Sequence, residues 1–260
     1  MIKILSDKFG PARRHFLKTA SIGTLAAVGV PQIVSAALAN EKMAPKLKFN
    51  TGDVVLFQGD SITDWGRDHK KDEYNTTSAL GSGYALITAS KLLLDHADKG
   101  LKIYNKGISG NKVYQLAERW DTDCLAIKPN ILSIHIGVND FWHTLTGGYN
   151  GTIDNYIADY KKLLTRTKEA LPEVKLVICE PFASKGVKAV DDKWYPTFDL
   201  FRKAAHDIAA EYNAIFVPFQ AAFDKAIETT PAAYWSLDGV HPSVAGEALM
   251  AQTWIKAVGS

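Results

Sequence analysis

The stretch Val54-Val55-Leu56-Phe57-Gln58-Gly59-Asp60-Ser61 is an apolar run that ends in a glycine and, two positions later, a serine. Such a run predicts a buried strand, and the glycine allows the backbone to turn directly after it. Ser61 is therefore expected just beyond the carboxyl end of a strand, where a nucleophile can be presented above a sheet. A Gly-Asp-Ser triplet also occurs in ordinary turns, so its meaning depends on the residues that follow.

Strand-like and helix-like segments alternate along the rest of the chain. Strands are predicted at 54–58, 101–105, 130–136, 174–179 and 214–217, and helices at about 83–96, 113–127, 153–171, 196–212 and 243–258. The strands have few polar interruptions, which favours a parallel sheet covered by helices on both faces. The sequence therefore predicts an α/β fold, a three-layer α/β/α sandwich with a five-stranded parallel sheet.

The N-terminal segment differs in kind from the rest of the chain. Arg13-Arg14 and Lys18 precede an apolar stretch, 19–39, that is rich in Ala, Gly and Ser and ends in Ala37-Leu38-Ala39. This order is typical of a cleaved secretory leader of the twin-arginine type, while Pro31 and the glycines argue against the alternative of a membrane anchor. We predict a leader over 1–39, a linker over 40–52, one folded domain over 53–260, and export to the periplasm or the exterior of a bacterial cell.

The charge balance gives no electrostatic reason to expect a nucleic-acid or membrane partner. Residues 1–39 hold five of the 30 Lys and Arg and one of the 28 Asp and Glu, which leaves 25 basic against 27 acidic residues, a net charge near −2. A mildly acidic chain predicts no nucleic-acid binding and no stable membrane insertion once the leader is removed.

The two cysteines, Cys124 and Cys179, are expected to be buried free thiols, because a twin-arginine substrate folds in a reducing compartment before export. A single disulfide between them is left open. Their spacing matches no zinc or haem site, and we expect no metal or organic cofactor.

A second polar cluster lies near the C-terminus, where Asp238 precedes His241 by three residues and Pro242 follows. Taken alone, these residues fit a helix cap and a surface histidine. Together with Ser61 they suggest a catalytic triad, because a serine hydroxyl becomes a good nucleophile only when an imidazole accepts its proton and a carboxylate orients that imidazole.

Candidate donors for an oxyanion follow the second and third predicted strands. Gly110 lies in Ile108-Ser109-Gly110-Asn111 and offers an unscreened backbone N–H, and Asn139 in Gly137-Val138-Asn139-Asp140 offers a side-chain amide. Each is also a common residue of ordinary turns. With the N–H of Ser61 they would make three donors.

These four blocks, around Ser61, Gly110, Asn139 and Asp238 to His241, occur in the order found in the SGNH, or GDSL, hydrolase superfamily, which the chain resembles over about residues 53–258. The resemblance implies a flavodoxin-like fold. It also implies Ser61 as nucleophile, His241 as base and Asp238 as its partner, with Ser61, Gly110 and Asn139 as oxyanion donors. Asp60 and Asp140, beside these residues, are interpreted as loop braces.

Three stretches extend these blocks: Asp64-Trp65-Gly66-Arg67, Gly107-Ile108-Ser109-Gly110 and Ile136-Gly137-Val138-Asn139-Asp140-Phe141-Trp142. With them the sequence resembles bacterial carbohydrate esterases of this superfamily, including acetyl xylan esterases. The resemblance implies a serine esterase that removes a short acyl group, acetyl in the leading interpretation, from an acylated carbohydrate. Aromatic residues near the predicted strand ends are candidate sugar platforms: Trp65, Trp142, Trp194 and Trp235. The alternatives are a lysophospholipase or thioesterase of the same superfamily and a non-catalytic carbohydrate-binding protein. The sequence leaves homo-oligomerisation open.

Overall fold

Five parallel strands form one sheet in the order β2-β1-β3-β4-β5 in the computed structural model, which describes residues 29–39, 41 and 46–259. The strands are β1 Val54–Gly59, β2 Lys102–Asn105, β3 Ile131–His135, β4 Lys175–Cys179 and β5 Ile215–Val217. Each begins and ends within one residue of its predicted bounds, and the predicted α/β class with five parallel strands is confirmed.

The helices comprise the five predicted ones and several shorter ones. In chain order they are α1 Val30–Leu38, α2 Ser61–Asp64, α3 Thr77–Leu80, α4 Tyr84–Asp95, α5 Val113–Glu118, α6 Val138–Leu145, α7 Ile153–Ala170, α8 Thr197–Glu211, α9 Phe219–Ile227, α10 Ala232–Trp235 and α11 Val244–Val258. The helix predicted over 113–127 is interrupted. Its first part ends at Glu118, and a π-helical turn follows at Asp121–Leu125.

The helices fall into two packed groups that cover the sheet. Helices α1, α4, α9 and α11 pack together, and α5, α7 and α8 form the second group. Every residue of β3 is buried, as expected for a central parallel strand with both faces covered. The Nε1–H of Trp254 on α11 donates to Ser133 of β3 at 2.9 Å, which ties a helix of the first group directly to the sheet.

Helix α1 lies inside the segment predicted to be a leader. Its apolar side, with Ile33, Val34 and Leu38 buried, packs against α9 and α11. Residues 1–28 of the predicted leader lie outside the described residues. Within the described residues, no helix is long and apolar enough to cross a membrane.

The loops that leave β1, β2 and β3 meet at one edge of the sheet. Strand β1 lies between the other two, with Phe57 opposite Asn105 and Gly59 opposite His135. The strand order reverses beside β1, and ligand sites of open α/β sheets form at such a reversal. Gly59 is required at this crowded end, because a Cβ there would overlap the Thr63 hydroxyl and the His135 carbonyl.

Candidate active site

A chain of hydrogen bonds joins Ser61, His241 and Asp238, the residues predicted to act together. Ser61 Oγ lies 2.9 Å from His241 Nε2, and His241 Nδ1 lies 2.8 Å from Asp238 Oδ2. Because an ionised carboxylate can only accept, Nδ1 carries the proton and Nε2 is free to accept from the Ser61 hydroxyl. Ser61 and His241 are 180 positions apart in sequence, so only the fold brings them together.

The loop that carries Asp238 and His241 is held by its own polar groups. Asp238 Oδ1 accepts from the backbone N–H of Val240 and of His241, at 2.9 and 2.7 Å. Ser236 Oγ donates to the His241 carbonyl and accepts from the N–H of Gly239. These bonds fix the Asp238 carboxylate and the His241 ring relative to each other before any substrate arrives.

Hydrogen bonding also keeps Asp238 ionised. Burial alone would raise the pKa of this carboxyl, but the bonds from the His241 backbone, the His241 ring and the Val240 N–H together lower it below its usual value. The aspartate therefore remains a carboxylate that accepts from the imidazole at neutral pH.

Ser61 is the first residue of α2, which Asp60 caps. Asp60 Oδ1 accepts from the N–H of Ile62 at 3.1 Å. The N–H of Ser61 points out of the helix start, where no intrahelical acceptor exists. Among residues 29–39, 41 and 46–259, no acceptor takes this N–H, so it is available to a ligand.

Gly110 and Asn139 lie on the neighbouring loops. Gly110 has a φ of +79°, a conformation that favours glycine, and its N–H has no acceptor within the described part of the chain. Asn139 is 3% exposed and donates one amide hydrogen to the carbonyl of Asn111 at 3.3 Å. Its second amide hydrogen has no acceptor among the described residues. The His143 ring lies beside Gly110, so this histidine also lines the site.

A buried carboxylate that sequence reasoning did not single out, Asp64, ties α2 to the loop that carries Gly110. Asp64 Oδ2 accepts from Ser109 N at 2.9 Å and from Ser109 Oγ at 2.7 Å. Its other oxygen lies 2.8 Å from His69 Nε2 and 3.6 Å from Arg67 Nε. The available signal was the position of an acidic residue three places after Ser61, between Thr63 and Trp65.

Arg119 is a second positioning residue that the sequence did not reveal. Its Nε donates to Asn111 Oδ1 at 2.9 Å, and its Nη1 donates to the Lys106 carbonyl at 2.7 Å. The chain leaves α5 just before this residue, and the guanidinium reaches back across the loop after β2. It thereby holds the same Asn111 whose carbonyl orients Asn139.

Asp60 and Asp140 occupy bracing positions, as the sequence interpretation proposed. Asp140 Oδ1 accepts from the N–H of Val113 at 3.2 Å and so links α6 to α5. Burial raises the pKa of each of the two carboxyls to about 7. Neither carboxyl contacts Ser61 Oγ or the His241 ring.

The four candidate tryptophans divide into two pairs. Trp65 and Trp142 are half-buried, with ring centroids 5.6 and 6.2 Å from the His241 ring, so they flank the catalytic candidates. Trp194 and Trp235, in contrast to the sequence interpretation, lie in the core at 1% and 5% exposure. The Nε1–H of Trp194 donates to the Ala189 carbonyl at 2.9 Å, so this ring packs behind the site and is not available as a sugar platform.

Neither cysteine forms a hydrogen bond with Ser61, His241 or Asp238. Cys124 and Cys179 are free and buried, which confirms the expected thiol state, and burial raises the pKa of each to about 12. Across the described ranges, no group of three or more His, Cys, Asp and Glu side chains could hold a metal ion.

Comparisons with known proteins agree with this geometry. Residues 57–249 match the GDSL-like lipase/acylhydrolase family. An acetylxylan esterase from Geobacillus stearothermophilus is 36% identical over 218 residues, which cover 82% of this chain and 97% of that protein. A Parabacteroides merdae structure assigned to the GDSL-like lipases is 56% identical, with a TM-score of 0.82, and covers 83% of this chain and 99% of its own.

The crystal structure of the Geobacillus stearothermophilus acetylxylan esterase superposes with a TM-score of 0.74 at 34% identity, over 82% of this chain and 97% of its own. Catalytic mutants of that enzyme, also solved, replace a serine, an aspartate and a histidine by alanine, and the aspartate and histidine are three positions apart. Asp238 and His241 have the same separation. The family match and this relative together show that the chain belongs to the GDSL-like lipase/acylhydrolase family.

Proposed function

We propose that the chain is a serine esterase that removes acetyl groups from carbohydrates through a Ser61–His241–Asp238 triad. The observation that carries the proposal is the pair of hydrogen bonds from Ser61 Oγ to His241 Nε2, at 2.9 Å, and from His241 Nδ1 to Asp238, at 2.8 Å. This arrangement gives a serine hydroxyl the base and the oriented imidazole that it needs to attack an ester.

In the first step, His241 Nε2 takes the proton of the Ser61 hydroxyl as Oγ attacks the ester carbonyl. The carbonyl oxygen becomes an oxyanion. The backbone N–H groups of Ser61 and Gly110 and the second amide hydrogen of Asn139 are the donors that would hold it, since none of them is spent on a described acceptor.

In the second step, the imidazolium returns its proton to the sugar oxygen as the bond between that oxygen and the acyl carbon breaks. A water molecule, deprotonated by His241, then attacks the acyl group on Ser61. The bond between Ser61 Oγ and the acyl carbon breaks, the imidazolium returns its proton to Oγ, and acetate is released. Asp238 stabilises the imidazolium in both half-reactions, because hydrogen bonding keeps its pKa low and its carboxylate ionised.

The proposal of a carbohydrate substrate is supported by the Geobacillus stearothermophilus relative and by the side chains around His241. The Geobacillus stearothermophilus relative is an acetylxylan esterase. The half-buried rings of Trp65 and Trp142 beside His241 supply the aromatic walls on which sugar C–H groups pack well. An acylated sugar is therefore the proposed substrate.

The second candidate is a longer-chain acyl hydrolase, such as a lysophospholipase or thioesterase. It is favoured by the breadth of the matched family, lipases and acylhydrolases, and by Leu237, whose side chain is 49% exposed next to Asp238. A long acyl chain would need such apolar surface near the triad.

We also propose that the chain is exported and that its leader is removed after Ala39. The support is the order of paired arginines, apolar stretch and small residues over 1–39. Removal would take α1 away and uncover the apolar surfaces of α9 and α11 against which Ile33 and Val34 pack.

The oxyanion assignment predicts a large loss of turnover in Asn139→Ala. Loss of one oxyanion donor is expected to lower kcat on p-nitrophenyl acetate on the order of a hundredfold or more. Ser61→Ala is expected to abolish turnover while circular dichroism stays native. Asn50→Ala, at an exposed site before β1, is the matched control and should keep wild-type rates. A wild-type rate in Asn139→Ala would mean that this amide only orders its loop.

The substrate assignment predicts a short-chain optimum. Rates are measured on p-nitrophenyl esters from acetate through butyrate and octanoate to palmitate, and acetate release is measured on acetylated xylan. We expect the highest kcat/KM on acetate and clear acetate release from the polymer. An optimum at octanoate or palmitate would instead support the longer-chain acyl hydrolase.

The leader assignment predicts a mature protein that begins at Asn40. Intact mass spectrometry of the exported protein measures this directly. The double variant Arg13→Lys, Arg14→Lys should leave the precursor unprocessed in the cytoplasm, because the paired arginines are the recognised feature. An exported protein that retains Val30 to Leu38 would contradict cleavage after Ala39.

A further inference from the structure

We propose that a groove beside the active site, lined by Tyr114, Tyr149, Asn150, Gly151, Asn155 and Asp159, binds neutral sugar rings of the substrate's polysaccharide chain, away from the ester. The groove is open to solvent and holds about 460 Å³. This inference rests on the proposed function, because it assigns a second subsite to the same carbohydrate. None of these residues belongs to the triad or to the oxyanion donors.

The floor of the groove is a pair of tyrosines fixed in place by a lysine. The rings of Tyr114 and Tyr149 lie 5.8 Å apart and within 19° of parallel. The ammonium of Lys112, a residue only 5% exposed, lies 6.0 Å from the first ring centroid and 5.1 Å from the second. Cation–π attraction to both rings holds the pair as one surface.

The backbone of the groove wall lies directly against one ring of this aromatic pair. A Cβ at Gly151 would overlap the ring of Tyr149, so the ring in this position lies directly against the Gly151 backbone. Both tyrosines are half-buried, and their hydroxyls form no hydrogen bond with any described residue. The rings therefore offer apolar surface together with two free phenolic groups, a combination that suits a sugar ring.

The rim of the groove supplies a carboxylate and amide hydrogens that have no partner among the described residues. Asn155 is exposed and Asp159 is half-buried, and they stand one turn apart on α7. Asn155 Oδ1 accepts from Thr152, at the start of α7, but its amide hydrogens have no described acceptor. Asp159 forms no ion pair with any residue in the described ranges. A carboxylate and an amide of this kind can bind vicinal hydroxyls, whereas the negative charge of Asp159 disfavours an acidic sugar.

The two walls of the groove continue from the two segments that carry the proposed oxyanion donors Gly110 and Asn139. Lys112 follows Gly110 by two residues and leads into α5, while Tyr149 follows the end of α6, which begins beside Asn139. Asp140 on α6 accepts from the N–H of Val113 on α5 at 3.2 Å and joins the walls. A sugar chain whose ester lies over Ser61 can therefore extend along this side of the site into the groove.

Binding of deacetylated xylohexaose to the Ser61→Ala protein, measured by isothermal titration calorimetry, tests the groove without relying on esterase activity. We expect Tyr149→Ala in this background to raise the Kd roughly tenfold, the scale of one lost aromatic contact. Asp159→Ala, at a half-buried residue that forms no ion pair with any described residue, should also raise the Kd while circular dichroism stays native.

Tyr74→Ala is the matched control, because Tyr74 is exposed and has its own tyrosine neighbour, Tyr104, and its own lysine, Lys102, 5.6 Å from the ring centroid, at β2. This variant should leave the Kd unchanged. Absence of xylohexaose binding, or Kd values that are unchanged in Tyr149→Ala and Asp159→Ala, would overturn the groove assignment.

The same proteins separate this assignment from the proposed function. If acetylated xylan yields no acetate but xylohexaose binding depends on Tyr149, the groove stands and the esterase assignment fails. If acetate is released but xylohexaose binding is indifferent to Tyr149 and Asp159, the esterase assignment stands and the groove assignment fails.

Discussion

The buried carboxylate of Asp64 joins the helix that begins with Ser61 to the loop that carries Gly110. It accepts two hydrogen bonds from Ser109, and Arg67 and His69 lie against its other oxygen. A nucleophile and an oxyanion donor are useful only at a fixed separation, and the proposed nucleophile, Ser61, and the proposed donor, Gly110, come from segments that follow different strands. Asp64 holds those two segments together, and the hydrogen bonds within the Asp238–His241 loop then only have to place His241 against Ser61.

The side-chain amide of Asn139, another proposed oxyanion donor, is also held in place by a hydrogen bond to a neighbouring loop. Asn139 is held by one hydrogen bond to Asn111, which is itself held by Arg119, and this leaves one amide hydrogen of Asn139 free. Such preorganisation matters because donors that are already aligned cost no reorganisation when charge develops on the substrate. The arrangement is the one that the proposed oxyanion site requires, and the proposal of an acetylated sugar substrate builds on it.

The sheet and the outline of the site could be predicted from the sequence, because buried parallel strands read as short apolar runs and functional residues follow them. Helices α2, α6 and α9 escaped prediction because they are short, with 4, 8 and 9 residues, and so few turns do not establish a helical period in the sequence. Asp64 and Arg119 escaped because their partners lie on other loops. An aromatic residue in a loop does not reveal its burial, so Trp194 was interpreted as a platform although it packs in the core.

The most direct measurement of the central claim, that Ser61 is a nucleophile activated by His241, is covalent labelling with a fluorophosphonate followed by peptide mass spectrometry. We expect one adduct, on Ser61, and a much slower reaction in His241→Ala, since the hydroxyl then lacks the base that lies 2.9 Å away. An unlabelled wild-type protein would contradict the account and favour a non-catalytic carbohydrate-binding protein. An adduct on another residue would also contradict it.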